Sequence, residues 1–215
     1  MQSIIEQTIH FVKTSLIAAE TGHDWFHIAR VYKTAQTINA IEKGNPQIVE
    51  LAALLHDIAD SKFHNGDEEI GPQKAGAFLK SIGVATDVIH EVQQIIRNLS
   101  FKASFGTLTF QSKELDIVQD ADRLDAIGAI GIARAFTYGG FKNRVLYDPQ
   151  IKPNLNMSKA EYKNTTAPTI NHFYEKLLLL KDLMKTEQGK AMAAKRHEFM
   201  LSYLQQFYGE WEGAI

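Results

Sequence analysis

The chain has 215 residues, 45% hydrophobic and 22% charged, an ordinary globular balance with enough apolar mass for a sizeable core. Its 23 basic and 25 acidic residues leave a formal charge of −2, so no general electrostatic drive pulls it toward nucleic acid or an anionic membrane. Cysteine is absent, which excludes disulfides, thiolate zinc sites and thiol catalysis.

The first residues, Met1 to Gln7, include an acid and no basic n-region, so they do not read as a signal peptide. The longest apolar runs are far short of a membrane span. The expectation is a soluble, cytoplasmic protein with no membrane partner.

Helical periodicity dominates from there. Ile5, Ile9, Val12 and Leu16 form a stripe on a first helix. A second helix is predicted over residues 24–43, with Ile28, Val31, Ala35 and Ile38 on its apolar face and Gly44 as its stop. Asn45 and Pro46 read as the N-cap and first residue of a third helix, which carries His56 and Asp57. Residues 61–71 read as a loop, and residues 72–81 as a helix stopped near Gly83.

Thr86 is expected to cap the next helix, whose stripe is Val88, Val92, Ile95 and Leu99. Ser112 caps another, running through Asp122, and Gly139-Gly140 ends the following segment. Residues 138–166 read as a long loop, a length often used for functional lids. Two final helices are expected over residues 169–185 and 189–208, and the C-terminal part of the chain carries Phe199, Tyr203, Phe207 and Trp211 for internal packing or a homodimer. No repeat and no inter-domain linker appears, so the expectation is one all-α domain over residues 1–215. Its core covers about residues 20–145, and a loop with additional C-terminal helices covers about 146–215.

Three clusters carry chemistry: His23-Asp24-Trp25-Phe26-His27, His56-Asp57, and Asp120-Ala121-Asp122-Arg123-Leu124-Asp125. Each falls on or beside a predicted helix among apolar residues, where charged and polar groups are costly to bury without a partner. A metal ion is such a partner, and helical bundles build metal sites from facing helices. His27 precedes Ile28 and lies one turn before Val31, so it points inward, while His23 sits at the more exposed helix start. In the third cluster Asp122 lies one turn after Val118 and is the best internal carboxylate, with Asp120 and Asp125 as alternatives. Asp60 is one turn beyond His56 and flanks the same face. Two imidazoles and two carboxylates, completed by water, suit a divalent ion of intermediate hardness better than a closed structural zinc site.

The order His27, His56-Asp57, Asp122 and the local contexts around it resemble the HD-domain metal-dependent phosphohydrolases. Those contexts are residues 23–31, 55–63 and 120–128, and they look like the bacterial single-domain branch, some of whose members are Mn²⁺-dependent nucleoside triphosphate pyrophosphohydrolases. The resemblance implies an all-α HD-domain helical bundle with His27, His56, Asp57 and Asp122 as metal ligands. It implies one divalent ion, Mn²⁺ first, with Mg²⁺, Co²⁺, Ni²⁺ or Fe²⁺ as alternatives. Asp60 stands where related nucleotidases place an acid that orients the attacking water. Lys62, two residues later, is placed to reach phosphate, and it is paired with Asp60 as catalytic. His23 and Arg30, the latter one turn beyond His27, join Lys62 as substrate-binding candidates.

The implied activity is cleavage of a (deoxy)nucleoside triphosphate to monophosphate and pyrophosphate. The alternatives are a nucleoside 5′-monophosphatase, a phosphodiesterase, or a non-catalytic module that binds metal or nucleotide. The expected partner is a small phosphorylated substrate, with no role for nucleic acid.

Overall fold

The computed structural model describes residues 2–16, 24–59, 67, 69–99, 110–157, 161 and 165–215. Among the described residues every regular element is helical, in line with the all-α expectation. None of these helices is long and apolar enough to cross a membrane. The chain forms two compact units, Met1–Asp122 and Arg123–Ile215, and one helix runs through the boundary.

The first unit contains α1 (Ile4–Ser15), α2 (Trp25–Glu42), α3 (Pro46–Leu55), α4 (Ile70–Ser81), α5 (Thr86–Leu99) and most of α6 (Lys113–Asp125). Its organising element is α3, where Ile48, Val49, Leu51, Ala52, Ala53, Leu54 and Leu55 are all buried. A helix with so wide an apolar face belongs inside, and α3 packs on α1, α2 and α5 while Gln47 and Glu50 keep its polar side. Each fully buried leucine there contributes about 1.5–3 kcal/mol. The stripe predicted on α2 is the buried one: Ile28, Val31, Ala35 and Ile38 have no exposed surface. On α5 the expected Val88, Val92, Ile95 and Leu99 are buried as well.

Caps set most of the helix starts. Ser3 and Glu6 form a reciprocal capping box on α1. Asn45 accepts from the Gln47 N–H while Pro46 opens α3, as its sequence predicts. Ser112 accepts from the Leu115 N–H at the start of α6.

Several boundaries differ from the sequence expectation. Helix α2 stops at Lys43, which adopts a left-handed conformation with φ 59°, and not at Gly44. Glycine is required at 44 for a different reason. A Cβ there would lie 3.0 Å from the Ile117 Cδ1 and 3.1 Å from Asn39 Oδ1, and Asn39 Oδ1 accepts the Gly44 N–H. Helix α4 starts at Ile70, two residues before Pro72, and Thr86 is the first residue of α5 and not its cap. Helix α3 ends at Leu55, so His56 is its C-cap residue and Asp57 lies in the turn beyond. The His-Asp pair is therefore delivered by the end of a helix and not by its face.

The second unit holds α7 (Gly128–Phe141), α8 (Asn171–Glu175), a 3₁₀ segment (Leu177–Leu183) and α9 (Glu187–Trp211). The single helix expected over residues 169–185 breaks at Lys176, with φ −145° and ψ −57°. The four leucines after it wind as 3₁₀, whose three-residue turn puts Leu177 and Leu180 on one buried side. Helix α9 exceeds its predicted range at both ends, and Thr186 sets the earlier start by accepting from the Gly189 N–H. Tyr203 of α9 stacks on fully buried Phe173, and Phe207 and the half-exposed Trp211 meet Tyr147 edge to face. Phe199 stays half exposed.

His172 on α8 is partly buried, and desolvation followed by the charges of Lys176 and Arg144 pushes its pKa down to about 4. Between pH 6.5 and 4 the unfolded chain takes up a proton that the native imidazole refuses. Its contribution to stability is therefore complete above pH 6.5 and is lost as pH falls through that window, by at most about 3 kcal/mol. Urea midpoints of the wild type and His172→Gln, followed from pH 7 to 4, should show a shallower acid loss in the variant. Parallel curves would contradict the assignment.

Candidate metal centre

Three sequence-distant elements of the first unit meet at His27, His56 and Asp122. His27 occupies the third position of α2, where its backbone N–H donates to Asp24 Oδ1 at 2.9 Å. The cap thus fixes the turn from which the imidazole projects. His56 follows the buried length of α3. Its Nδ1 lies 2.9 Å from the Ala53 carbonyl oxygen, which only accepts, so Nδ1 carries the proton and Nε2 presents its lone pair. Asp122 comes from the last turns of α6.

The donor atoms are close together. His27 Nε2 and His56 Nε2 are 3.3 Å apart, and Asp122 Oδ1 is 3.5 Å from the first and 3.8 Å from the second. Asp57 belongs to the same cluster: one ligand atom each from His27, His56 and Asp57 lies within 4.8 Å of the others. Donors bonded at about 2.1 Å to a first-row divalent ion stand about 3.0–3.4 Å apart around it, so the triangle is only slightly wider than a coordination shell. The imidazole side chains are 4% exposed and Asp122 is 37% exposed. The nitrogens are thus held in a dry wall while the carboxylate faces solvent. The C-terminal end of α3 adds partial negative charge to a place already rich in lone pairs. This donor set fits a divalent cation, with nitrogen and oxygen ligands in mixed number and no thiolate.

The alternatives within the third cluster separate clearly. Asp122 is the member brought to both imidazoles. Asp125 is ion-paired with Arg134, and Asp120 is fully buried. Arg30 lies on α2 one turn after His27, partly buried. His23, Asp60 and Lys62 lie outside the described residues. The Ala53 carbonyl that orients His56 escapes sequence reading, because a backbone acceptor carries no residue signature.

Comparison with known proteins gives a consistent picture. The family model for the HD domain matches residues 25–127. The chain is 37% identical over 203 residues to YpgQ of Bacillus subtilis, covering 94% of this chain and 90% of that protein. A crystal structure of an HD-superfamily hydrolase from Bacillus thuringiensis is similar with a TM-score of 0.78 and 46% identity, over 97% of this chain and 96% of that one. The crystal structure of Bacillus subtilis YpgQ in complex with ADP is similar with a TM-score of 0.74 and 37% identity, over 96% and 94%.

If the four side chains hold one ion, Asp57→Ala should abolish stoichiometric Mn²⁺ binding in calorimetry while the far-ultraviolet circular dichroism stays native. Wild-type Mn²⁺ affinity in the variant would remove Asp57 from the centre.

Proposed function

We propose that this chain, which belongs to the HD-domain hydrolases and is a metal-dependent phosphohydrolase, cleaves a nucleoside triphosphate to monophosphate and pyrophosphate. The observation that carries the reading is the convergence of His27, His56 and Asp122, with Asp57 beside them, on one small volume that is dry on one side and open on the other. The bound ADP in YpgQ supports a nucleotide as the ligand class.

In this reading His27, His56, Asp57 and Asp122 hold a single divalent ion, Mn²⁺ by preference. When bound, such an ion supplies Lewis acidity toward a phosphoryl oxygen and lowers the pKa of water. The two buried imidazoles contribute neutral nitrogen donors and the two aspartates balance the charge of the ion, so nearby cationic side chains have to offset the charge of a polyphosphate. Asp60, three residues after the His-Asp pair, orients the attacking water and takes its proton. Lys62 and Arg30 offset the negative charge that builds on the phosphoryl oxygens during transfer. His23, just before the cap of α2, contacts the substrate. The enzyme is assigned to the cytoplasm.

The test is a panel of ribo- and deoxynucleoside mono-, di- and triphosphates with added Mn²⁺, reading pyrophosphate and orthophosphate separately. Equimolar monophosphate and pyrophosphate from a triphosphate is the expected result. Orthophosphate released only from monophosphates would replace the reading with that of a nucleotidase, and tight binding without turnover would replace it with a regulatory module. Asp60→Asn should retain Mn²⁺ and lose most turnover, and unchanged turnover would take Asp60 out of the mechanism.

A further inference from the structure

Helix α6 carries Asp122 three residues before its end, and that last turn is tied down with unusual thoroughness. The Asp125 carboxylate, 5% exposed, is ion-paired with Arg134 of α7. Arg196 of α9 donates from Nη1 to the Leu124 carbonyl oxygen, one of the acceptors that a helix end leaves without an intrahelical partner. Arg123 donates from Nη1 to the Leu183 carbonyl oxygen at 2.6 Å, reaching the end of the 3₁₀ segment. Three consecutive residues, Arg123, Leu124 and Asp125, are thus each held by a different element.

The turn that follows is packed as closely. Gly128 has φ +76°, and a Cβ on it would fall 3.0 Å from Arg196 Cγ and 3.1 Å from its Cβ. The methylenes of Arg196 therefore lie flat on the turn while its guanidinium caps the helix. A Cβ on Gly131 would run into the Ala126 carbonyl, so α7 starts directly against the turn. Burial pushes the Arg196 guanidinium down from its ordinary range, and the neighbouring Asp125 carboxylate opposes that shift.

We propose that Arg134 and Arg196 are positioning residues for the metal centre: by holding the last turn of α6 through Asp125 and the Leu124 carbonyl, they keep the turn that follows Asp122 wound as helix, so that the backbone bearing that carboxylate does not fray. Asp122 and Asp125 are separated by less than one turn, so fraying or rotating the last turn displaces both carboxylates together. Asp122 Oδ1 must reach two imidazole nitrogens at once, at 3.5 and 3.8 Å, and a shift of about an ångström would lose one of them. Helix ends ordinarily fray, and the pins remove that freedom at the end that bears a ligand. The proposal rests on the four-ligand centre and not on the choice of substrate, so it is read through metal affinity and survives any outcome of the nucleotide panel.

The test measures the Mn²⁺ dissociation constant by electron paramagnetic resonance of free Mn²⁺, alongside the thermal midpoint. Arg134→Gln should weaken binding about tenfold with native helicity, the scale typical of losing a group that supports a ligand. Arg134→Lys, which keeps the charge, should recover most of that loss. Ser3→Ala, which breaks the capping box of α1, serves as the control: its midpoint falls and its Mn²⁺ affinity stays at the wild-type value. Should Arg134→Gln fail to fold, Arg196→Met carries the test, because it keeps the methylenes over Gly128 and removes only the guanidinium. Its binding should weaken severalfold. Wild-type affinity in the folded variants would overturn the proposal, and so would an equal loss of affinity in Ser3→Ala.

Discussion

Two imidazole nitrogens 3.3 Å apart, with a carboxylate oxygen within 3.8 Å of both, stay together when a shared proton or a cation lies among them. The rest of the first unit is organised around this constraint. The lone pair of His56 Nε2 is turned inward because Nδ1 keeps its proton and donates it in a hydrogen bond to the Ala53 carbonyl oxygen. The side chain of His27 is nearly without exposed surface, so solvent does little to soften the crowding. A divalent cation turns that repulsion into coordination energy, which is how a structure can keep four such groups in one place.

The scaffold supplies rigidity at each point of attachment. Helix α3 buries every residue from Leu51 to Leu55, so its end cannot move without disturbing the core of the unit, and His56 is the residue that caps it. Helix α2 starts at Asp24, whose carboxylate accepts from the backbone of His27 itself. Helix α6 is pinned one turn beyond Asp122. His27, His56 and Asp122 therefore each stand at or near a helix terminus held by contacts of its own. A site assembled from helix ends gains flexible approach for substrate on its open side while its donor atoms stay fixed.

Much of this was legible in the sequence. The stripes on α2 and α5 follow directly from the spacing of branched apolar residues, and Asp24, Asn45-Pro46 and Ser112 announce helix starts through their side-chain acceptors. The three His/Asp clusters contain the side chains that the structure brings together, because charged groups in apolar surroundings need a partner. What escaped has a common physical character, namely competition settled by tertiary contact. Gly44 looks like a helix stop, yet it serves the close approach of Ile117, and Lys43 takes the left-handed residue. The leucines after Lys176 have helical propensity, yet burial at three-residue spacing favours the tighter winding. The pins on α6 depend on arginines 9 and 72 positions away from their partners, a separation with no local signature.

The account stands on the identity of the metal donors. Crystals grown with Mn²⁺ and measured at the manganese absorption edge test it most directly. The account predicts a single strong anomalous peak within bonding distance of His27 Nε2, His56 Nε2 and carboxylate oxygens of Asp57 and Asp122. A peak elsewhere, or none beside these four side chains at saturating Mn²⁺, would contradict it.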